Sequence, residues 1–463
     1  MPIPPRDAVT FLLEPELHML AGVNAAAAEG RRSRMRESPA SFYRGANALS
    51  ALWMVNHLPS SIPWVWAVGD AHPGNFATLA VGPQNRDGIS PVRFDVADVD
   101  DEHPAPWCWD AVRLLAGFRL QRPDLDAGEL NALAEAHLDE YRRTIADNRA
   151  GDPRWTRIDL DGLPEPLKTT IGDESLPARR QSHMAELVDG NRLRRGKKAQ
   201  DAAGKDWLIP TLKAVWARAE MPEFEIQDIV ERLAGGGVSS RGRRRWLVLV
   251  KERVRVEGEA RWSQRVVELK ERRPSVLARW VPASPFPAMG QAAATVPMGR
   301  DPYHAVVPAA PDPLLARTRC HCRTPIDLTA CDAGDLTRAA RLYGQILAAF
   351  HCRGLMHLAV DRNPLAAADK PAAKDLTGWA EALAAWNREA AAEFGVVGAA
   401  GKGPVKAKPA AATNKPVAVK AAPAKPVAAP KAAAAGPAKA LDTSPAKAPA
   451  RTKAGGVKSA AKR

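Results

Sequence analysis

The chain is poor in cysteine, with five among 463 residues, an odd number that cannot pair completely. That usage excludes a disulfide-framed secreted domain and fits a reducing cytoplasm. Charge is missing where a membrane span would be suspected: residues 45–69 contain no Lys, Arg, Asp or Glu. Asn47, Asn56, His57, Pro59 and Pro63 interrupt that stretch, and such groups are costly in lipid, so it reads as buried core. Residues 1–20 hold one basic residue, Arg6, against Asp7, Glu14 and Glu16. They lack the basic start and apolar run of a secretory signal, and no membrane partner is expected. Net charge is also missing from most of the chain. The total is +14, yet residues 401–463 carry 14 Lys and Arg against one Asp, leaving 52 basic and 51 acidic residues elsewhere.

What is present begins with length, which exceeds one ordinary domain and predicts two lobes plus accessory segments. The apolar share of 46% supports a sizeable core. From residue 399 onward the sequence is Ala, Lys and Pro with almost nothing to bury. Such a segment cannot offset its chain entropy, so a disordered tail is expected. It would either solubilise the protein or bind nucleic acid or another polyanion by counterion release.

Residues 1–44 read as helical. Residues 62–68 read as a strand, and 76–80 and 92–96 as two short strands around a turn-rich loop. Helices are expected over 107–120, 129–145, 336–351 and 376–394, each from apolar residues at helical spacing. The basic run 192–198 reads as an exposed loop. From Ile226 a short helical stretch is expected to lead into a glycine-rich turn, followed by strands at 246–250 and 265–270.

Two stretches carry chemistry. The first is Gly69-Asp70-Ala71-His72-Pro73-Gly74-Asn75-Phe76, a polar cluster closing an apolar segment. The second is Phe94-Asp95-Val96-Ala97-Asp98-Val99-Asp100-Asp101-Glu102, a strand that ends in carboxylates. An Asp to accept a hydroxyl proton, with an Asn and a second carboxylate to hold magnesium against nucleotide phosphates, are the parts of a phosphoryl-transfer site. Asp98 is the expected metal ligand with Asn75; Asp95 and Asp100 are rivals for the same role.

Gly69-Asp70-x-His72-x-x-Asn75 resembles the catalytic loop of the aminoglycoside phosphotransferase and choline-kinase branch of the protein-kinase-like superfamily. The run 94–100 resembles its metal-binding strand end. Trp107-Cys108-Trp109-Asp110 resembles a helix start whose Asp braces the catalytic loop. The glycine turn and phosphate-binding lysine of such folds have no counterpart before Val68. They come later, as Gly235-x-Gly237-x-Ser239-Ser240, which lacks a last glycine, and as Lys270, with Lys251 competing. Turn amides there would cradle phosphates. This order resembles a bacterial family of unknown function, domain-of-unknown-function family twenty-two fifty-two. Its marks here are Arg34-Met35, Phe42-Tyr43-Arg44-Gly45, the loop 69–76, the acidic strand end and Lys270-Glu271.

The resemblance implies an α+β, two-lobed, protein-kinase-like fold in circularly permuted order. Its larger helical lobe would span 1–224 and its β-rich nucleotide-binding lobe 225–330, with helices 331–398 returning to the larger lobe and the tail at 399–463. It implies ATP and magnesium as cofactors and a hydroxyl-bearing substrate. Asp70 would be the catalytic base, and His72 would lie in the same loop as a hydrogen-bonder. Arg44 would face an anion and Asp110 would support the loop. A nucleotide-binding pseudokinase, a nucleic-acid-associated protein acting through its tail, and a metal-dependent hydrolase using His72 and His103 are the alternatives. Cys320-His321-Cys322 lacks a matching second pair for zinc, so free thiols are expected there.

Overall fold

Two apolar periodicities organise the chain. The computed structural model describes residues 3–80, 90–149, 162–196, 199–202, 208–210, 212–213, 223–232, 243–256, 259–281, 301, 303–307, 313–357 and 371–396. Gly235, Gly237, Ser239, Ser240 and the tail from 399 lie outside them.

Helix α1 (Pro5–Ala8) continues through a π-helical turn, Val9–Leu13, into α2 (Glu14–Val23). Helices α3 (Ala25–Met35), α4 (Pro39–Gly45) and α5 (Asn47–His57) follow. The N-caps of α3 and α4 are Asn24 and Ser38, each accepting an amide three residues on. The uncharged stretch forms α5, whose residues 47–54 are all buried. Strand β1 (Trp64–Ala67) pairs antiparallel with β4 (His103–Pro106), and between them β2 (Phe76–Ala80) pairs with β3 (Val92–Val96).

Helix α6 (Cys108–Gln121) runs through the centre, with all but Arg119 and Gln121 buried. The expected single apolar stripe was too narrow, because other elements cover the helix on every side. Helix α7 (Ala127–Arg149) follows, and helices α8 (Glu165–Glu174) and α9 (Pro177–Leu187) lead to the sheet. The run expected as a loop at 192–198 instead contributes a ribbon, β5 (Val188–Asp189) with β6 (Arg192–Leu193). Arg195 is held there by Asp201 at 2.7 Å and by Asp228.

Among the described residues the main sheet has six antiparallel strands in the order β11 (Ala305–Val307), β12 (Leu314–Thr318), β10 (Glu259–Glu271), β9 (Arg245–Val256), β8 (Phe224–Arg232), β7 (Ala199–Asp201). The helical expectation at Ile226 is corrected, since β8 pairs along β9. On β10 the period of two sends Val267 and Leu269 into one core with Trp246, Val248 and Tyr303. The other face carries Val266, Glu268 and Lys270, with Val266 packed on Leu247 and Leu249. Finally α10 (Ala333–His357) lies along α7, and α11 (Ala373–Glu393) lies along α6. Tyr343 of α10 sits between the rings of Phe76, Phe94 and Phe118, with centroids 4.8, 5.9 and 5.7 Å away. Among the described residues no helix is long and apolar enough to cross a membrane.

Candidate functional site

The turn after β1 forms because Gly69 has φ +78°, and a Cβ there would collide with the Asp101 carbonyl. Asp110, in the first turn of α6, accepts the amides of Val68 at 2.7 Å and Gly69 at 3.0 Å. Its carboxylate also meets His351 Nε2 at 3.0 Å, and His351 Nδ1 lies 2.7 Å from the Tyr141 hydroxyl. Asn47 adds a bond to the Gly69 carbonyl at 3.3 Å and one to Asp101 Oδ2 at 3.0 Å. The backbone ahead of Asp70 is thereby fixed from α5, α6 and α10.

Asp70 is 4% exposed. Arg113 donates to its Oδ1 from Nε at 2.7 Å and also contacts it through Nη2. Arg113 is itself seated on the Tyr43 ring, 4.3 Å from the centroid, and donates to the Tyr43 carbonyl at 3.2 Å. Burial pushes Asp70 up to about 7 despite the guanidinium. His72 is held well below its ordinary value by burial, then by Arg44 and Arg113, and so is neutral at neutral pH. Its Nε2 stands 3.8 Å from Asp70 Oδ2, and its Nδ1 is buried without a hydrogen-bond partner. Arg44 packs against Gly74, where a Cβ would come within 3.0 Å of its guanidinium carbon. Burial lowers the Arg44 pKa, opposed by Asp70.

Asn75 ties this loop to the acidic strand end. Its Nδ2 donates to the Asp70 carbonyl at 2.8 Å, and its own carbonyl accepts the Ala97 amide at 2.7 Å. Asp98 therefore follows directly from a residue bonded to Asn75. The rivals separate by surroundings. Asp95 Oδ1 accepts its neighbour's amide at 2.8 Å and lies 3.7 Å from Arg353. Asp100 is buried against the Lys270 ammonium and accepts from Arg243 Nη1 at 2.7 Å. Those cations hold the Asp100 carboxyl far below the usual range against the cost of burial. Lys270 Nζ also lies 3.6 Å from Asp98 Oδ1. Burial lowers the lysine's own pKa, opposed first by Asp100 and then by Asp98. One oxygen of Asp98 and one of Asp100 are buried without a hydrogen-bond donor.

Lys251 points elsewhere, its ammonium 5.1 Å from the Trp262 ring centroid. Asp101 and Glu102 are structural anchors. Asp101 accepts from Asn47 and, at 3.1 Å, from the Val276 amide; Glu102 accepts from Trp66 Nε1 at 3.0 Å and Arg272 at 2.8 Å. The structure thus gathers Asp70, His72, Asn75, Asp98, Asp100, Asp110, Arg44 and Lys270 around two adjacent turns and one strand. Arg113, Arg243 and His351 belong to the same network and carry no local motif. Arg113 lies three residues after Asp110 on the helix that braces the loop, the one signal that could have found it.

All five cysteines are buried, and none is joined in a disulfide. Among the described residues no group of three or more His, Cys, Asp or Glu could hold a metal ion. Any metal here would therefore depend on the Asn75 amide or a ligand's own oxygens beside Asp98.

No curated protein and no solved structure matches the chain. A family model matches residues 24–395, and the chain therefore belongs to the bacterial family described as "Uncharacterized protein conserved in bacteria (DUF2252)".

Proposed function

We propose that the protein is an ATP- and magnesium-dependent phosphotransferase that acts on a hydroxyl acceptor, built on a kinase-like fold in circularly permuted order. One observation carries the reading: a buried lysine from the sheet meets Asp98 and Asp100 at the end of the strand that Asn75 ties to Asp70. That juxtaposition supports a site where an ammonium and a carboxylate-held cation share a nucleotide's phosphates. The permuted order is supported by the chain positions, with the two carboxylate turns early and the lysine strand late.

Each residue then has a role. Asp98 and Asn75 would hold magnesium, and the buried, undonated Asp98 oxygen fits that use. The ion would neutralise charge on the transferring phosphoryl group. Asp100 would orient Lys270. Asp70, near neutrality by burial, would accept the acceptor's proton, and Arg113 would keep its carboxylate aimed. A catalytically weak nucleotide binder is the second reading, favoured because Asp70 already spends Oδ1 on Arg113.

ATP with magnesium is expected to raise the melting temperature of the full chain, and Asp98→Ala or Lys270→Ala to abolish that rise. Transfer of labelled γ-phosphate should increase with pH through about 7, because the base must be deprotonated. Asp70→Asn should lower it by roughly a hundredfold or more. Absence of any nucleotide-dependent shift defeats both readings. A shift without Asp70-dependent transfer, across a panel of sugar, aminoglycoside and protein hydroxyls, leaves only the second.

A further inference from the structure

A cleft of about 540 Å3 opens between the end of α2 and the segment that follows β10. That volume falls within the roughly 300–1,000 Å3 that takes a whole small molecule. The lining between its charged groups is apolar, made by Met19, Leu20, Pro274, Val276 and Ala278. Met19 is 64% exposed, and its unbranched thioether adapts to irregular apolar shapes. The wall after β10 is fixed from the acidic strand end. Ser275 Oγ donates to the Asp101 carbonyl at 2.7 Å, and the Val276 amide donates to Asp101 Oδ1 at 3.1 Å. Ser275 Oγ also accepts the Leu277 amide at 3.2 Å, which caps the short 3-10 helix Val276–Arg279.

The charged groups of the cleft are of two kinds. Arg31 is spent: it donates to Glu16 Oε1 at 2.9 Å and to the Gly45 carbonyl at 2.7 Å. That pair adds no net charge. Arg243 is spent on Asp100 at 2.7 Å, in the group that also holds Lys270 and Asp98. Arg273 and Arg279 are different. Both line the cleft and are exposed, and neither guanidinium meets a partner among the described residues. Glu16 is the only acidic side chain that lines the cleft among those residues. Glu271, two positions before Arg273, accepts the Arg244 amide at 2.9 Å.

An apolar lining rewards a ligand that brings apolar surface out of water. A planar guanidinium fork matches a carboxylate or phosphate two oxygens at a time. We propose that this cleft binds a small amphipathic anion, a free molecule with an apolar body and a single carboxylate or phosphate head. The body lies against Met19, Leu20, Pro274 and Val276, and the head is taken by Arg273 and Arg279. Arg31 and Arg243 keep their own carboxylates and close the cleft without joining the recognition. The site uses none of Asp70, Asn75, Asp98 or Lys270 and stands whether or not the chain transfers phosphate.

Octanoate and octyl phosphate, titrated calorimetrically into the full-length protein without nucleotide or magnesium, test the site; octanol supplies the body without the charge. Wild type is compared with Arg273→Gln/Arg279→Gln, which removes the two unpaired cations, and with Ala278→Trp, which fills the cleft from an exposed position. The pair Arg179→Gln/Arg261→Gln removes the same charge from exposed arginines outside the cleft. Any anion held by the basic C-terminal segment is common to all four proteins, so their differences read the cleft. The first double variant should lose about tenfold or more in affinity through lost charge-assisted contacts. Ala278→Trp should lose as much, and the charge-matched pair should bind as wild type does. Tighter binding of octyl phosphate than of octanoate assigns a phosphate head, and the reverse a carboxylate. No binding of either anion to wild type at millimolar concentration overturns the proposal. So does equal binding by wild type and either cleft variant, an equal loss in the charge-matched pair, or octanol binding as tightly as octanoate.

Discussion

Glu102 shows how a single buried side chain can tie the fold's stability to pH. It is 3% exposed, bonded to Trp66 and Arg272, and pushed up to about 7 by burial. Its folded pKa therefore lies above the unfolded value, so the folded chain holds a proton that the unfolded chain releases. The stability from that proton is present below about pH 4 and is lost as pH rises through about 7. Glu102→Gln should flatten the fall in urea midpoint between pH 5 and 8; an unchanged slope would assign that fall to other groups. At this scale the sequence exposes Asp70, His72, Asn75 and Asp98 because they sit in two short runs whose spacing is visible. Arg243, Arg113 and His351 reach the same turns across long separations, 143 positions in the case of Arg243 and Asp100. No local pattern announces such contacts.

Among the elements, those with clean periodicity were legible. Strands β2 and β3 lie where alternation places them; α10 runs past both ends of the expected 336–351, to Ala333 and His357, while α11 starts earlier than the expected 376–394 and ends just short of it, at Glu393. Strand β8 was not legible, for an identifiable reason. Its pairing with β9 slips at Gln227, between Ile226 and Asp228. The bulge places Phe224, Ile226 and Ile229 in one core, and their spacing of two and then three imitates a helix. The packing of α10 on α7 rests on Gly344, where a Cβ would strike the backbone carbonyl of His137. Backbone cannot yield as a flexible side chain can. Gly344→Ala should destabilise by about 1–3 kcal/mol. Gly172, in α8, has nothing within 4 Å of its Cβ position, so Gly172→Ala should stabilise by about 0.5–1 kcal/mol. Urea midpoints for the two variants should move in opposite directions.

For the whole molecule, charge is divided between a nearly neutral body and a basic C-terminal segment with 14 Lys and Arg in its last 63 residues. Attraction to nucleic acid through that segment would depend steeply on salt. Removing residues after Val397 should abolish salt-sensitive DNA binding measured by fluorescence anisotropy. Binding that survives the deletion would place the contact on the body. Composition made this division legible, whereas the pairing of Arg232, Arg245 and Arg317 with the buried Glu268 stayed hidden because the three arginines come from three different strands.

The pairing of Lys270 with Asp100 has a consequence for biosynthesis. The two residues are 170 positions apart, and closing a loop of that length carries about 4.6 kcal/mol of length-dependent entropy. Asp98, Asp100 and Glu102 leave the ribosome long before Lys270, Arg243 and Arg272, which later meet them. The ion pair of Asp100 with Lys270 can therefore close only once β10 has been made.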